Sequence, residues 1–386
     1  MWSLSPDVHH LNHGSFGAVP VEVLEKQNEW RSRWEANTTG FIINELQPAI
    51  DEARTTTAAF LNADPDGFVF LRNASSGVAS VVRSIEHKLE PGDELLTTVQ
   101  DYNAIRQILE FTAARHDARV VVAPTPFPID SAGQVTESIL ESTTDRTRLA
   151  IIDHVTSPTG LVFPIDQIVS SLEPDIPVLV DGAHGPGQVP VDLSVLCASW
   201  YTGNLHKWTC APKGSAFLHT RSDRIEDTVP MVISHGWNAP IPEGRSRYWA
   251  LFDWPGTDDM SQWLVVPDAL RVVGAIEPGG WLALMKRNHE LALSARDLLC
   301  QSLGVDRPAP DEMVGAMAAI PLRDGEGDDP GGDLSPLMFE LLADGFETTV
   351  MIWPEWPGQL LRVSAAAYNT LDEYQALADQ LSDRVG

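Results

Sequence analysis

Short apolar runs alternate with amphipathic segments from about residue 60 to residue 220. The amphipathic segments repeat apolar positions at the spacing of a helix, for instance at 76–89, 104–115 and 165–172. The apolar runs predict strands at 67–71, 94–98, 118–123, 149–153, 178–181, 199–202 and 214–219. Such alternation predicts an α/β fold with a mostly parallel sheet, helices on both faces, and ligands at the carboxyl ends of the strands.

The pattern changes beyond Gly256. Two long helical patterns, 260–275 and 281–303, lead into an irregular region, where the acidic stretch 323–336 predicts a loop and 372–384 predicts a closing amphipathic helix. We predict three parts. They are a large cofactor domain at 16–255, a smaller domain at 256–386, and an N-terminal segment at 1–15 that packs near the active site.

Charge and length exclude several classes of function. Acidic residues outnumber basic ones, 54 to 26, and the formal charge of −28 makes nucleic acid an unfavourable partner. No apolar stretch reaches the length that spans a membrane, and the N-terminus lacks a basic region and an apolar signal core. We therefore expect a cytoplasmic protein without a membrane partner. The three cysteines and the scattered histidines form no ligand-spaced cluster, so we predict no metal site.

One carboxylate and one amine stand near the ends of two predicted strands. Asp181 follows an apolar run, and Lys207 lies between His206 and Trp208. The pair suits pyridoxal phosphate, because a lysine amine can bind its aldehyde as a Schiff base and an aspartate can keep its pyridine nitrogen protonated. We therefore expect an enzyme that acts at the alpha carbon of an amino acid.

Several neighbouring residues have both a functional and a structural interpretation. Asp181 could instead cap a helix, and His184 could bond an oxygen of the cofactor ring or close the turn that follows the strand. His206 could donate to a phosphate or be a core histidine satisfied by the backbone. Tyr102 could stack on a flat ring or belong to the core or its rim.

Phosphate and carboxylate groups also have candidate partners. Residues 72–77 follow a strand and open a helix whose amides would favour phosphate, although Ser-Ser-Gly also caps ordinary helices. Thr156 could give a hydroxyl to the ring, and Thr257 could hold phosphate or cap a helix. Arg362 lies in an apolar segment and needs an anion, either a substrate carboxylate or a structural salt bridge.

Together these motifs resemble the class V aminotransferase family of pyridoxal phosphate enzymes, and within it the isopenicillin N epimerase-like branch. The likeness covers nearly the whole chain. The segments that carry it are 11–20, 73–75, 154–160, 181–184, 201–208, 256–258, 361–364 and 368–369.

The resemblance implies fold type I, with a seven-stranded, mostly parallel sheet and a smaller α+β C-terminal domain. It also implies a homodimer with an active site shared between subunits. It gives Lys207 the Schiff base and the proton transfer at the alpha carbon, and gives Asp181 the pyridine nitrogen. The other implied positions are ring contacts at Tyr102, Thr156 and His184, phosphate contacts at Ala74, Ser75, Thr202, His206 and Thr257 (the last from the other subunit), and substrate contacts at Asn12, His13 and Arg362.

Two departures from related enzymes bear on the reaction. Cysteine desulfurases of the wider family need a reactive cysteine shortly before the carboxylate-binding arginine, and no cysteine follows Cys300. Persulfide-forming desulfuration is therefore disfavoured. As the second departure, two extra residues separate Thr202 from the His-Lys pair, and this leaves the role of Thr202 open.

Four reactions remain: epimerisation, elimination of a beta sulfur substituent, transamination, and decarboxylation coupled to oxidative deamination. Epimerisation needs a second acid, for which Tyr102 and His13 are the candidates. Elimination needs only Lys207 and a good leaving group. We favour a C–S beta-lyase reaction on a bulky S-substituted cysteine conjugate in antibiotic or thiol metabolism. A cofactor-binding regulator is disfavoured because no segment is left for a DNA-binding domain. A nicotinamide-dependent dehydrogenase is disfavoured because 72–77 lacks the glycine pattern.

Overall fold

The predicted apolar runs form the strands of a central sheet in the computed structural model, which describes residues 1–385. Gly386, the last residue of the predicted smaller domain, lies outside the described residues. The strands are His9–His10 (β1), Phe68–Leu71 (β2), Glu94–Thr98 (β3), Arg119–Ala123 (β4), Thr147–Asp153 (β5), Val178–Gly182 (β6), Trp200–Asn204 (β7), Ala216–Thr220 (β8), Met317–Leu322 (β9), Phe346–Glu347 (β10), Thr349–Ile352 (β11) and Gln359–Ser364 (β12).

The central sheet has seven strands in the order β2-β8-β7-β6-β5-β3-β4. Strands β3 to β7 pair in parallel, and β8 runs antiparallel to both of its neighbours. This arrangement confirms the predicted mostly parallel sheet. Parallel strands also bring their carboxyl ends to one edge, where the polar residues that follow them can meet.

Helices cover both faces of the sheet. They are His13–Phe16 (α1), Val21–Ala36 (α2), Thr38–Asn44 (α3), Leu46–Phe60 (α4), Ala74–Ile85 (α5), Asn103–Arg115 (α6), Ala132–Glu141 (α7), Ile165–Leu172 (α8), Leu193–Leu196 (α9), Arg247–Phe252 (α10), Ser261–Leu264 (α11), Val266–Gly274 (α12), Gly280–Leu303 (α13), Pro336–Ala343 (α14) and Leu371–Val385 (α15).

The two faces of the sheet explain why its strands are continuously apolar. On one face Leu95 and Ile151 belong to a buried cluster with Val78 of α5. On the other face Leu96 and Ile152 pack into the larger core that includes α4 and α8. Strands that bury both faces cannot alternate apolar and polar residues.

Two regions differ from the expected helices. The pattern 260–275 forms two helices, α11 and α12, which break at Val265 just before Pro267. A proline inside a helix removes one hydrogen bond and clashes with the preceding turn, so the break lies where this residue requires it. The structure also adds helices α2 to α4, for which the sequence analysis gave no elements.

A second, antiparallel sheet forms near the C-terminus in the order β11-β12-β9. The N-terminal segment joins this region, because β1 pairs in parallel with β10 and Leu11 is buried in the same cluster as Leu361. This pairing carries Asn12 and His13 to the side of β12. The domain boundary after residue 255 stays a prediction. Among the described residues, no helix is long and apolar enough to cross a membrane.

Candidate active site

Asp181 and Lys207 lie at the carboxyl edge of the central sheet. Asp181 is on β6 and pairs in register with Thr202 of the neighbouring parallel strand β7. Lys207 follows β7, and its Nζ lies 3.0 Å from Nε2 of His184. The amine and this carboxylate therefore come from adjacent strands, as their positions in the sequence predicted.

The Lys207 amine is buried away from water. Burial lowers its pKa to about 7; the positive charge of Arg362 adds to this effect, and Asp181 and Asp153 oppose it. A lysine in this environment holds a substantial fraction of neutral amine at neutral pH. That is the form in which an amine attacks an aldehyde or accepts a proton.

His184 lies between Lys207 and the aromatic core. Its Nδ1 accepts a long, 3.5 Å hydrogen bond from the indole of Trp208. Burial, followed by the charge of Lys207, lowers the pKa of His184 well below its usual value, so the ring is neutral. Its place beside the amine fits the predicted position near the cofactor ring, and its contact with the ring itself stays a prediction.

Two further carboxyl groups, which the sequence analysis did not select, lie beside Asp181. Asp153 ends β5 and pairs in register with Asp181, and Asp101 follows β3. Burial and mutual repulsion raise the pKa of Asp153 well above its usual value and that of Asp101 to about 8. The signal for Asp153 is present in the sequence, since it ends an apolar strand as Asp181 does.

The N-terminus of α5, the predicted phosphate cradle, is partly engaged. Asn73 caps the helix, and the amide of Ala74 donates to Oδ1 of Asn204 at 2.9 Å. Ser75, the next residue, is half-buried on the first turn. A phosphate at this helix end would have to replace or share the Asn204 contact with the Ala74 amide.

Thr202 packs against the first turn of α5, and its hydroxyl is bonded within the sheet. Its hydroxyl donates to the carbonyl of Phe217 at 2.8 Å, and its side chain lies so close to Gly77 that a Cβ there would be 2.1 Å from the Thr202 hydroxyl. Thr202 thus seats α5 against the sheet. The phosphate contact predicted for it has no support in this geometry, because the hydroxyl is already bonded within the sheet.

The remaining ring and phosphate candidates are spread around the edge of the site. Nδ1 of His206 lies 2.9 Å from the carbonyl of Ser215. Tyr102 precedes α6 and is 50% exposed. Thr156 is fully buried, and its hydroxyl lies 2.6 Å from that of Thr159.

Thr257 is exposed, and the adjacent Asp258 pairs with Arg72 before α5. This pair brings the Thr257 loop next to the N-terminal end of α5 and leaves Thr257 exposed. The cofactor contacts of Tyr102, Thr156, His206 and Thr257 stay predictions.

Arg362 is buried on β12 without a carboxylate partner among the described residues. Its guanidinium donates to the carbonyl of Ser157, to Asn12 at 3.0 Å and to Ser15 at 2.7 Å. Within residues 1–385 its Nε is buried with no hydrogen-bond partner. The structure therefore contains no structural salt bridge at Arg362, and burial lowers the pKa of Arg362 to about 10.

His13 links the N-terminal segment to the lysine loop. Its Nδ1 lies 2.9 Å from the hydroxyl of Tyr368, and its Nε2 lies 3.1 Å from the carbonyl of Lys207. Burial lowers the pKa of His13 to about 4, so the ring is neutral. Because both ring nitrogens are engaged, His13 is a poor candidate for a second acid.

Within the described part of the chain, no group of three or more histidine, cysteine or acidic side chains is placed to hold a metal ion. The charged groups of the site are instead arranged for an organic ligand. A guanidinium, an amine and a carboxyl cluster lie around the carboxyl edge, and the guanidinium has an unbonded, buried donor.

Comparison with known proteins identifies the family. The chain is 31% identical to isopenicillin N epimerase of Streptomyces clavuligerus, over 99% of this chain and 96% of that protein. It is also 31% identical to the probable chloroplastic L-cysteine desulfhydrase of Arabidopsis thaliana, over 98% of this chain and 83% of that protein. A solved structure of the cystine C–S lyase C-DES matches the fold with a TM-score of 0.80 at 20% identity, over 98% of each chain.

The residues of the site fit pyridoxal phosphate. Lys207 offers a buried amine, Asp181 a buried carboxyl at a strand end, and the first turn of α5 an anion-binding helix end. Residues 16–377 match the aminotransferase class-V family. The chain therefore belongs to the class V aminotransferase family and is a pyridoxal phosphate-dependent enzyme.

Proposed function

We propose that this enzyme is a C–S beta-lyase that acts on an S-substituted L-cysteine. The observation that carries the proposal is the pairing of a buried amine of lowered pKa, Lys207, with a buried guanidinium, Arg362, whose Nε lacks a partner within residues 1–385. Arg362 is near enough for its charge to lower the pKa of Lys207. Arg362 would hold the substrate carboxylate while Lys207 removes the alpha proton.

Pyridoxal phosphate, when bound, supplies an electron-withdrawing ring that makes the alpha proton of an amino acid acidic. Lys207 would hold the cofactor and, once displaced by the substrate amine, accept that proton at Nζ. Asp181 would keep the ring nitrogen protonated, since a carboxylate within reach favours the charged form. Arg362 would bind the carboxylate through paired N–H donors and orient the alpha carbon toward Lys207.

The net reaction balances without an oxidant. The bond between the beta carbon and sulfur breaks, the sulfur leaves with the bonding electron pair, and it takes up a proton to give a thiol. The remaining three-carbon unit reacts with one water molecule and gives pyruvate and ammonia. Lys207 handles the alpha proton, so no second acid on the opposite face is required.

The cysteine positions favour elimination over persulfide formation. Cys300 is buried in α13, Cys210 is buried, and Cys197 lies at the end of α9. Burial raises the pKa of Cys210 to about 12, so its thiolate is scarce. The hairpin between β11 and β12, which leads to Arg362, contains no cysteine.

A cavity of about 300 Å³ supports a bulky sulfur substituent. It borders Asn12 and His13, and its other walls include Phe16, Met338 and Tyr368. Asn12 is hydrogen-bonded to Arg362, so the cavity begins beside the proposed carboxylate site. Polar side chains, among them His10 and Glu347, line the same cavity, so its walls would accept a large substituent on sulfur that has both apolar and polar parts.

Epimerisation is the second candidate. A relative named as an isopenicillin N epimerase is 31% identical over nearly the full chain, as is the relative named as a probable desulfhydrase. Epimerisation needs a second proton donor, and Tyr102 is the remaining candidate because His13 is engaged at both ring nitrogens. Because the Tyr102 side chain is half-exposed, the fold does not fix its hydroxyl in a position to donate a proton to the alpha carbon.

We also propose a cytoplasmic homodimer in which Thr257 of one subunit reaches the phosphate of the other, and a place in antibiotic or thiol metabolism. The exposed position of Thr257, next to the Asp258–Arg72 pair, is compatible with a contact across a dimer interface. Light scattering of the purified protein tests the dimer: a monomer that contains bound cofactor would exclude a shared site.

The reaction is tested by mass spectrometry of products from a panel of S-substituted L-cysteines in deuterated water. Thiol and pyruvate in equal amounts are expected. Deuterium at the alpha carbon of an intact conjugate would replace the proposal with epimerisation. Carbon dioxide with an aldehyde would indicate decarboxylation coupled to oxidative deamination, and a keto acid with the sulfur retained would indicate transamination.

A further inference from the structure

Asp153 is a second buried carboxyl next to the one proposed to serve the ring nitrogen. Asp153 and Asp181 are register partners on adjacent parallel strands, so their side chains project from the same face of the sheet, with backbones about 4.8 Å apart. Both are nearly inaccessible to water, with 5% and 3% exposure. Two carboxyl groups this close in a dry environment cannot both be ionised without a large cost.

A third carboxyl increases this cost. Asp101 follows β3, the other neighbour of β5, and its charge acts on Asp153 together with that of Asp181. Its Oδ2 is buried and has no hydrogen-bond partner within residues 1–385. Asp153 thus faces one carboxyl on each side, which makes it the most crowded of the three.

Positive charge does not compensate this crowding. In the described part of the chain, none of the three carboxyls forms an ion pair, although Lys207 follows the next strand and acts on Asp153 at longer range. Arg106 is the cation that acts on Asp101.

The other titratable neighbours are neutral. His154 bonds the Tyr201 hydroxyl at 2.9 Å, burial lowers the pKa of His154 to about 4, and burial raises the pKa of Tyr201 well above its usual value. The cluster therefore has three acids, and within residues 1–385 no cation forms an ion pair with any of them.

Hydrogen bonding distinguishes the three acids. Asp181 accepts from the amide of Ala183 at 2.8 Å, and Asp101 accepts from the Thr97 hydroxyl and from the amide of Tyr102. Within residues 1–385, the donor that acts on the Asp153 carboxyl is its own backbone amide. Since hydrogen bonds from donors favour the ionised form, the proton is held most strongly where they are fewest.

We propose that Asp153 is an uncharged, protonated carboxylic acid at neutral pH and that it is a positioning residue, which keeps the neighbouring Asp181 as the charged group for the ring nitrogen. The role of Asp181 in this inference rests on the proposed function. The protonation state of Asp153 does not, because it follows from the packing of β3, β5 and β6.

Infrared spectroscopy of the full-length protein at neutral pH, without substrate, tests the protonation state. A protonated carboxyl gives a C=O stretching band, sensitive to deuterated water, that ionised carboxylates lack. Because burial also raises the pKa of Asp101 to about 8, Asp101→Asn serves as the background that removes its contribution. We expect this band in Asp101→Asn and its loss in the double variant Asp101→Asn/Asp153→Asn. A band that is unchanged in the double variant, or Asp101→Asn without the band, would overturn the proposal. Asp153→Ser serves as the second variant if Asp153→Asn does not fold.

Cofactor affinity tests the positioning role. Asp153→Ala is expected to weaken pyridoxal phosphate binding by about tenfold or more, as loss of a supporting side chain typically does at a bound ligand. Asp153→Asn, which is neutral and of equal size, is expected to restore most of that affinity. An Asn variant as weak as the Ala variant would show that a negative charge at position 153 was needed. Because neither measurement uses a substrate, failure here is distinct from failure of the product panel.

Discussion

Two groups of buried charges in this protein differ in their pairing. In the first, the paired cluster, Arg54 and Arg245 share Asp253 at 2.5 and 2.6 Å, and both also reach Asp51. The Arg54 guanidinium also lies over the ring of Trp249 at 4.4 Å from its centre. Every charge in this cluster has an opposite charge in contact, so the cluster joins α4 to the segment around α10.

The second group, the unpaired cluster, contains Lys207, Arg362, Asp101, Asp153 and Asp181. Arg362, Asp153 and Asp181 are buried, and Lys207 and Asp101 are half-buried, yet within the described residues none of the five forms an ion pair. Buried charges without partners cost free energy, and such an arrangement persists where it serves a ligand. In this protein, burial of charged residues alone does not indicate a functional site, whereas burial without ion pairing does.

The largest effect is expected at the amine of the unpaired cluster. Lys207→Ala removes the proton acceptor and the attachment point, so turnover should fall on the order of 10³-fold or more, measured as product formation from the best substrate. Lys213 is the matched control, because its Nζ donates to the carbonyl of Gly17 at 2.8 Å and lies outside the unpaired cluster. Lys213→Ala should lose less than about tenfold. Equal losses in both variants would remove the distinction between the two lysines.

Substitutions in the paired cluster should act by lowering the stability of the fold. Arg54→Leu leaves Asp253 buried with one cation fewer and should lower the free energy of unfolding by about 3–5 kcal/mol, measured by urea denaturation. Arg33, whose pair with Glu45 is largely exposed, is the control, and Arg33→Leu should cost less than about 1 kcal/mol. A wild-type stability in Arg54→Leu would mean that the pairing contributes nothing.

Substitution of Arg362, in contrast, should impair activity more than stability. Arg362→Gln removes a charged hydrogen-bond donor to the substrate, worth about 1.5–3 kcal/mol, so kcat/KM should fall by about 10- to 100-fold, mainly through KM. Stability should fall by less than in Arg54→Leu, because within residues 1–385 the loss of Arg362 leaves no buried carboxylate unpaired and affects only neutral acceptors such as Asn12 and Ser15. The defect should vanish when wild type and variant are compared on a substrate analogue that lacks the carboxylate. A defect that persists there would assign Arg362 another role.

The smallest effect is expected in the pH dependence of cofactor capture. The neutral amine of Lys207 reacts with the aldehyde, so the rate at which the cofactor-free protein captures pyridoxal phosphate should rise with pH and level off above about 7. The charge of Arg362 helps to lower the pKa of Lys207, so Arg362→Gln should move the midpoint upward. Stopped-flow absorbance measures both profiles. A midpoint near that of an ordinary lysine would contradict a lowered pKa.

The sheet and its edge could be predicted from the sequence because they depend on local patterns. Apolar runs mark the strands, and Asp181 and Lys207 are local to the ends of two of them. Asp153 was equally visible as the end of a strand, but nothing near it in the sequence indicates that it becomes the register partner of Asp181. That relation depends on the strand order, which the sequence does not state.

The carboxylate site could be predicted only in part. Arg362 is conspicuous in its apolar segment, whereas its partners Asn12 and Ser15 lie 350 and 347 positions away in the chain. The pairing of β1 with β10 brings them together. The hydrogen bond from the Thr202 hydroxyl to the carbonyl of Phe217 depends on how Thr202 packs against Gly77, and it could not be inferred from spacing.

The most direct test of Lys207 as the lysine that holds pyridoxal phosphate is to locate the bound cofactor on the chain. Borohydride reduction fixes pyridoxal phosphate to the lysine that holds it, and peptide mass spectrometry then identifies that lysine. We expect the added mass on Lys207 alone. Added mass on Lys213, or on any other lysine, would place the chemistry outside the unpaired cluster and contradict the central claim.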